Sequence, residues 1–144
     1  MGDLMRELIA ARFSRCLGTL LENGVPLVNS LGIACGVVGN WSAVAAIKLA
    51  TEGAKEGRTL SQSLQYSNAF PARMVDLLRL GEETGELARL CLLAAKTHEE
   101  QAEIAFKRLG QLLAPTMLLI VGVIVAVVVS SLLMAFLAVN GLPP

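Results

Sequence analysis

The feature that most constrains this chain is the place where its charge stops. All 12 Lys and Arg and all 12 Asp and Glu lie between Asp3 and Arg108, and from Leu109 to Pro144 there is no charged side chain. Within that tail, Leu112 to Val139 reads LLAPTMLLIVGVIVAVVVSSLLMAFLAV. An uncharged apolar run well beyond 18 residues is the signature of a membrane-spanning helix. As a helix this run is ~42 Å long, against a hydrocarbon core of ~30 Å, so it spans with tilt or with its first turn among the headgroups. The competing reading is a helix buried in a soluble core, but a chain of 144 residues has too little remaining mass to cover it.

Charge at the flanks sets the expected orientation. Lys107 and Arg108 precede the run, with Lys96 within reach, and Asn140–Pro144 has no basic residue. Counting positive charge near the span places the N-terminal segment in the cytoplasm and the short tail outside. The expected organisation is therefore a cytoplasmic helical bundle over 1–110, a transmembrane helix over 111–139 and a periplasmic tail over 140–144. Gly122, Ala126 and Ser130 recur every fourth residue, a small-residue stripe of the kind that lets membrane helices approach closely, although ordinary Gly, Ala and Ser content explains it equally well. Pro115 is expected to kink the helix or mark its re-start.

Before the span, helical periodicity dominates and no strand alternation stands out. Phe13, Cys16, Leu17, Leu20 and Leu21 form one apolar stripe, closed by Asn23-Gly24. Pro26 suits a first helical position, and Leu27, Leu31, Ala34, Cys35 and Val38 repeat the spacing up to Gly39-Asn40. Ala43, Ala46, Ile47, Ala50 and Ala54 mark a third helix ending at Gly57. Thr59 with Gln62 reads as a capping box for a short helix carrying Leu60 and Leu64. Phe70-Pro71 opens a fifth helix with Met74, Leu77, Leu78 and Gly81 on one face, broken at Gly85. Leu87, Leu90, Cys91, Ala94, Ala95 and His98 begin a sixth that runs on through Phe106 and Leu109 into the membrane. The fold class is thus all-α: an antiparallel bundle of about six helices followed by one transmembrane helix. Trp41 is expected to anchor an interhelical turn.

Catalytic patterns are missing. Cys16, Cys35 and Cys91 fall on apolar faces, and their spacing matches no zinc or redox motif. His98 is the only histidine, and no phosphate loop, catalytic triad or H-E-x-x-H is present. No metal, cofactor or catalytic residue is expected. With acids and bases balanced, nothing points to nucleic acid. The acidic groups Glu82, Glu83, Glu86 and Glu99, Glu100, Glu103 read as solvated helix faces, or more sharply as a docking surface for a basic partner or a cation site.

Several local strings resemble one known family. ARFSRCLGTLLENGVPLVNSLGIA (Ala11–Ala34) contains its Gly-x-Pro-Leu turn at Gly24, Pro26 and Leu27; GRTLSQSL (Gly57–Leu64) and Phe70-Pro71 follow in order. The most specific string is Gly81-Glu82-Glu83-Thr84-Gly85-Glu86-Leu87, which is similar to the GEx[ST]GxL turn of bacterial type II secretion platform proteins, component F, related to the inner-membrane platforms of type IV pili. The tail SSLLMAFLAVNGLPP resembles the secretion branch more than the pilus branch. The family usually has two bundles and three membrane helices, and this chain is similar to its C-terminal half. It departs at Ala114, where Glu often precedes the membrane proline, and at Thr97 and His98, where aromatic residues are common.

The resemblance implies a non-enzymatic inner-membrane platform that links a cytoplasmic assembly ATPase to pseudopilus extension and protein export. Implied partners are the secretion ATPase, other inner-membrane secretion components, a pseudopilin, membrane lipid and further copies in a homo-oligomer. It also implies that Gly24, Pro26, Gly57, Phe70, Pro71, Gly81, Gly85 and Leu87 are structural turn residues. Three alternatives stand beside it: the platform of a type IV pilus or competence pseudopilus, a single-span adaptor unrelated to secretion, and a membrane-anchored enzyme or metal-binding protein.

Overall fold

Each helix begins and ends where its own residues require. The computed structural model describes residues 2–141, and the last three of the expected tail residues, Leu142–Pro144, lie outside them. α1 runs over Gly2–Glu22, α2 over Leu27–Cys35, α3 over Trp41–Lys55, α4 over Leu60–Gln65, α5 over Ala72–Thr84 and α6 over Leu87–Val139. Among the described residues there is no strand. The membrane run is not a seventh helix, because α6 is one helix of 53 residues that contains Pro115 within it. Of the two readings of Pro115 the re-start is not found, and the sixth helix runs on into the apolar run as its spacing predicts.

Caps explain the starts. The Asn40 side chain accepts from the N–H groups of Ser42 and Ala43 and opens α3. Thr59 Oγ1 accepts from Gln62 N–H and opens α4. Pro26 and Pro71 precede α2 and α5 with no side-chain cap. α2 stops at Cys35, earlier than the periodicity suggested, because Gly36 N–H turns back to Ile33 O, yet Val38 still reaches the core from the turn.

The contacts divide the described chain into a unit ending at Ile104 and a unit beginning at Ala105. In the first unit α1 packs on α2, α2 on α3, α3 on α4 and α4 on α5. Its fully buried side chains include Phe13, Leu17, Leu31, Ile47, Leu64 and Leu78, one or more from each of α1 to α5. Each such side chain contributes ~1.5–3 kcal/mol through burial. The rings of Phe13 and Phe70 meet at 5.1 Å with a 42° tilt, an aromatic contact that fastens the Phe70-Pro71 turn to α1.

α6 joins this unit through small residues. A Cβ on Gly18 would lie 2.9 Å from Leu92 Cγ and 3.0 Å from Cys91 Cβ. Glu7, early in α1, bonds His98, whereas Gly18, later in α1, faces the earlier Cys91 and Leu92, so α1 and this part of α6 run in opposite directions, and Arg15 pairs with Glu99 at 2.7 Å. Trp41 corrects the expectation placed on it: it is 91% exposed. With Asn40 capping α3, the inward face is made of Ala43, Ala46, Ile47 and Ala50, and the first-turn Trp41 points to solvent.

In the second unit, Met117 to Leu133 present apolar side chains outward along the helix. An 18-residue stretch of α6 has a mean hydropathy of 2.9 and none of it is buried within the protein, so this is a helix long and apolar enough to cross a membrane rather than a core helix.

Candidate functional site

The turn strings singled out in the sequence converge. Gly85 ends α5 with φ +73°, a left-handed conformation that only glycine adopts cheaply, and the N–H groups of Gly85 and Glu86 both return to Gly81 O. Gly81 itself is needed for closeness: a Cβ there would lie 2.9 Å from Leu87 Cα and 3.0 Å from Leu90 Cβ. The turn thus folds the start of α6 back onto the end of α5, with Leu87 part-buried against the core.

Glu82 corrects the expectation of an outward docking charge. Its two carboxylate oxygens accept the N–H groups of Leu60 and Ser61, each at 2.8 Å. The GEx[ST]GxL string therefore caps the helix that begins in the GRTLSQSL string. Gly57, with φ +84°, and Arg58, whose N–H bonds Gly53 O, carry the chain from α3 into that capped helix. Glu83 stays exposed, and Glu86 is exposed and paired with Arg89 one turn on. The three acids are therefore not one surface. Glu99 of the second acidic group holds Arg15 through two hydrogen bonds, and that hydrogen bond is the first cause of the raised Arg15 pKa.

At the other turn strings, Val25 N–H closes onto Leu20 O beside Gly24, and Ser30 N–H bonds Pro26 O at the start of α2. Arg6 donates to Phe70 O at 3.1 Å and holds the Phe70-Pro71 turn. Gly122, Ala126 and Ser130 all lie on the exposed length of α6, and Ala126 and Ser130 line a shallow apolar depression with Val123 and Val127.

These groups do not form a catalytic set. Burial, and secondarily the Glu82 charge, pushes the Cys91 thiol up to about 12, away from nucleophile character. Burial also raises Cys16. His98 is 1% exposed and its Nδ1 is hydrogen-bonded to the Glu7 carboxylate. Among the described residues no three His, Cys, Asp or Glu side chains come together where they could hold a metal ion. Sequence reasoning missed Gly18, Gly53 and the Glu82 cap, because each depends on which helix lies opposite; a Cβ on Gly53 would fall 2.6 Å from Ser63 Oγ.

A helical bundle with capped, glycine-tightened turns and one helix long and apolar enough to cross a membrane defines an all-helical protein with a candidate membrane span. Residues 13–135 match the family described as type II secretion system (T2SS), protein F, and the chain belongs to that family. It is 38% identical to type II secretion system protein F of Xanthomonas campestris pv. campestris over 80% of this chain and 28% of the relative. It is 32% identical to the protein of the same name in Pseudomonas aeruginosa, over 99% and 35%. It is 31% identical to type IV pilus assembly protein PilC of Thermus thermophilus, over 97% and 35%. The chain thus spans about a third of the length of these relatives.

Proposed function

We propose that the chain is a non-enzymatic platform segment of a type II secretion system, seated in the bacterial inner membrane with its bundle, taken as 1–110, in the cytoplasm and its span as 111–139. The observation that carries this is the family match over residues 13–135, which takes in the bundle and the apolar run together. In this role the bundle receives force or position from a cytoplasmic assembly ATPase and passes it toward pseudopilus extension. α6 suits that task because one helix carries both core residues such as Cys91 and Ala94 and the membrane run. Lys107 and Arg108 favour the cytoplasmic side for the bundle.

A second reading, the platform of a type IV pilus, is favoured by the 31% identity to the Thermus protein, close to the 32% found for the Pseudomonas secretion protein. Deleting the chain's gene in its host separates the two. Loss of exported protein with normal pili, restored by complementation, is the expected result; loss of pili with normal export supports the pilus reading. If both processes stay normal, neither role holds.

A further inference from the structure

Among the described residues of the first unit, the three most exposed large apolar side chains all belong to α3 and the end of α4. Trp41 is 91% exposed, Tyr66 89% and Leu49 70%. None of them serves the bundle, because the inward face of α3 is already made of Ala43, Ala46, Ile47 and Ala50. Leu49 and Tyr66 share the wall of a groove of about 600 Å³ with Arg58 and Gln62. Trp41, the exposed Ala45 and Leu49 follow the i, i+4, i+8 order of one ridge, the kind that seats into the grooves of a facing helix. Two open aromatic side chains and a leucine present on the order of 500 Å² of surface. That is a large share of the ~800 Å² each partner gives to a standard interface.

The ridge carries both a knob and a hole. Ala45 lies four residues after Trp41 and four before Leu49, about 6 Å along the helix axis in each direction. A two-fold axis beside Ala45 exchanges these ends, so Trp41 of one copy meets the Leu49–Tyr66 groove of the other, and the reverse. The groove has room for an indole, and the Gln62 amide carbonyl at its wall offers an acceptor for the indole N–H. At the axis itself the small Ala45 side chain lets the two helices come close.

Charge agrees with this pairing. Asn23 to Ile47 contains no Lys, Arg, Asp or Glu, and charge resumes at Lys48. Charge depletion beside an exposed Trp is the composition of an interface core. In antiparallel α3 helices the charged half from Lys48 onward lies across from the partner's uncharged half, so like charges do not meet. A parallel pairing would set Lys48 against Lys48 and Glu52 against Glu52. A bilayer fits less well, because the charge near the groove is of both signs, with Arg58 paired to Glu56, whereas surfaces that lie on membranes are rich in Lys and Arg.

We propose that α3 is a self-association face: two copies pack their α3 helices antiparallel about a two-fold axis at Ala45, with Trp41 of each copy seated in the Leu49–Tyr66 groove of the other.

The full chain is expressed in bacterial membranes with Cys16→Ser and Cys35→Ser, which leaves only the buried Cys91. Ala45→Cys is added and the membranes are oxidised with copper phenanthroline. A disulfide-linked dimer of the chain is expected, since a residue on the axis faces its own copy. Glu83→Cys, at an exposed site on α5, should give about a tenth of that yield or less, and adding Trp41→Ala or Leu49→Glu to Ala45→Cys should lower it about tenfold. Trp41 is the only tryptophan, so the unmodified chain supplies a second measurement that decides if the serine background unfolds. In nanodiscs its emission should move to shorter wavelength on going from one chain per disc to two, and Tyr66→Ala should remove most of that shift. The readout is association alone, so it does not depend on the export phenotype. The proposal is overturned by any of four results: no dimer from Ala45→Cys, equal yield from Glu83→Cys, a yield unchanged by Trp41→Ala, or a different protein in the linked band. Quenching of Trp41 by brominated lipid at one chain per disc would assign the ridge to the bilayer and overturn it too.

Discussion

Glu82 and Ser61, 21 residues apart in sequence, are joined by a 2.8 Å hydrogen bond from the Ser61 N–H to the Glu82 carboxylate. The second oxygen of the same carboxylate takes the Leu60 N–H. A side chain near the C-terminal end of α5 thereby closes the N-terminus of α4, and two strings that look independent in sequence become one joint.

That joint should be measurable. Both amides belong to buried residues, so Glu82→Ala leaves them without acceptors and should cost ~1–3 kcal/mol. Glu83→Ala, at an exposed neighbour, should stay within about 0.5 kcal/mol. Denaturant unfolding of the full chain in micelles compares the two; equal effects would show that the cap contributes nothing.

The turn that follows should be equally intolerant for two separate reasons. Gly85→Val forces a branched residue into φ +73° and should cost ~1–3 kcal/mol. Gly81→Ala keeps an ordinary helical backbone but places a methyl 2.9 Å from Leu87 Cα, and overpacking of this kind costs ~1–3 kcal/mol. An unchanged melting temperature in either variant contradicts the corresponding cause.

Cys91 should resist alkylation by maleimide at pH 8 in the folded chain, while Cys16 and Cys35, both part-exposed, react first. Its folded thiol titrates at about 12 and an ordinary thiol at 9.0, so between those values the folded state holds the extra proton. Stability should therefore fall as pH rises through that window, by at most about 1.4 kcal/mol per pH unit. Cys91→Ala should flatten this alkaline slope in pH-dependent unfolding.

Membrane-helix packing is tested at the small-residue stripe. If Gly122, Ala126 and Ser130 meet another helix, Ala126→Leu should weaken association in a membrane two-hybrid assay more than Leu119→Ala does. Equal effects mean the stripe is incidental.

If a basic partner docks on this face, Glu83 and Glu86 are the acids not occupied as the α4 cap, whereas the Glu82 carboxylate is. Reversing both to Lys should reduce capture of a basic partner such as the assembly ATPase, and do so most at low salt, with helicity nearly unchanged. Full binding and full export in that variant would leave these acids as solvated surface.

Much of this architecture was legible along the chain because it is local. Apolar spacing along one helix axis marked Phe13, Leu31, Ile47, Leu64 and Leu78 as inward, and each is buried. Thr59 caps α4 and Gly85 closes α5 because a helix end needs acceptors or a left-handed residue whatever packs around it. The uncharged run stood out because lipid selects against charge over a whole helix length. What lies across from each helix was not legible. Glu82 read as a solvated acid until α4 was placed beside it, Gly18 and Gly53 read as ordinary helix interior until Leu92 and Ser63 faced them, and Trp41 read as an anchor until Asn40 took over the start of α3. Periodicity fixes which way a side chain points about its own axis. Only the tertiary structure decides what waits there, because helix approach depends on the summed fit of all the packed faces.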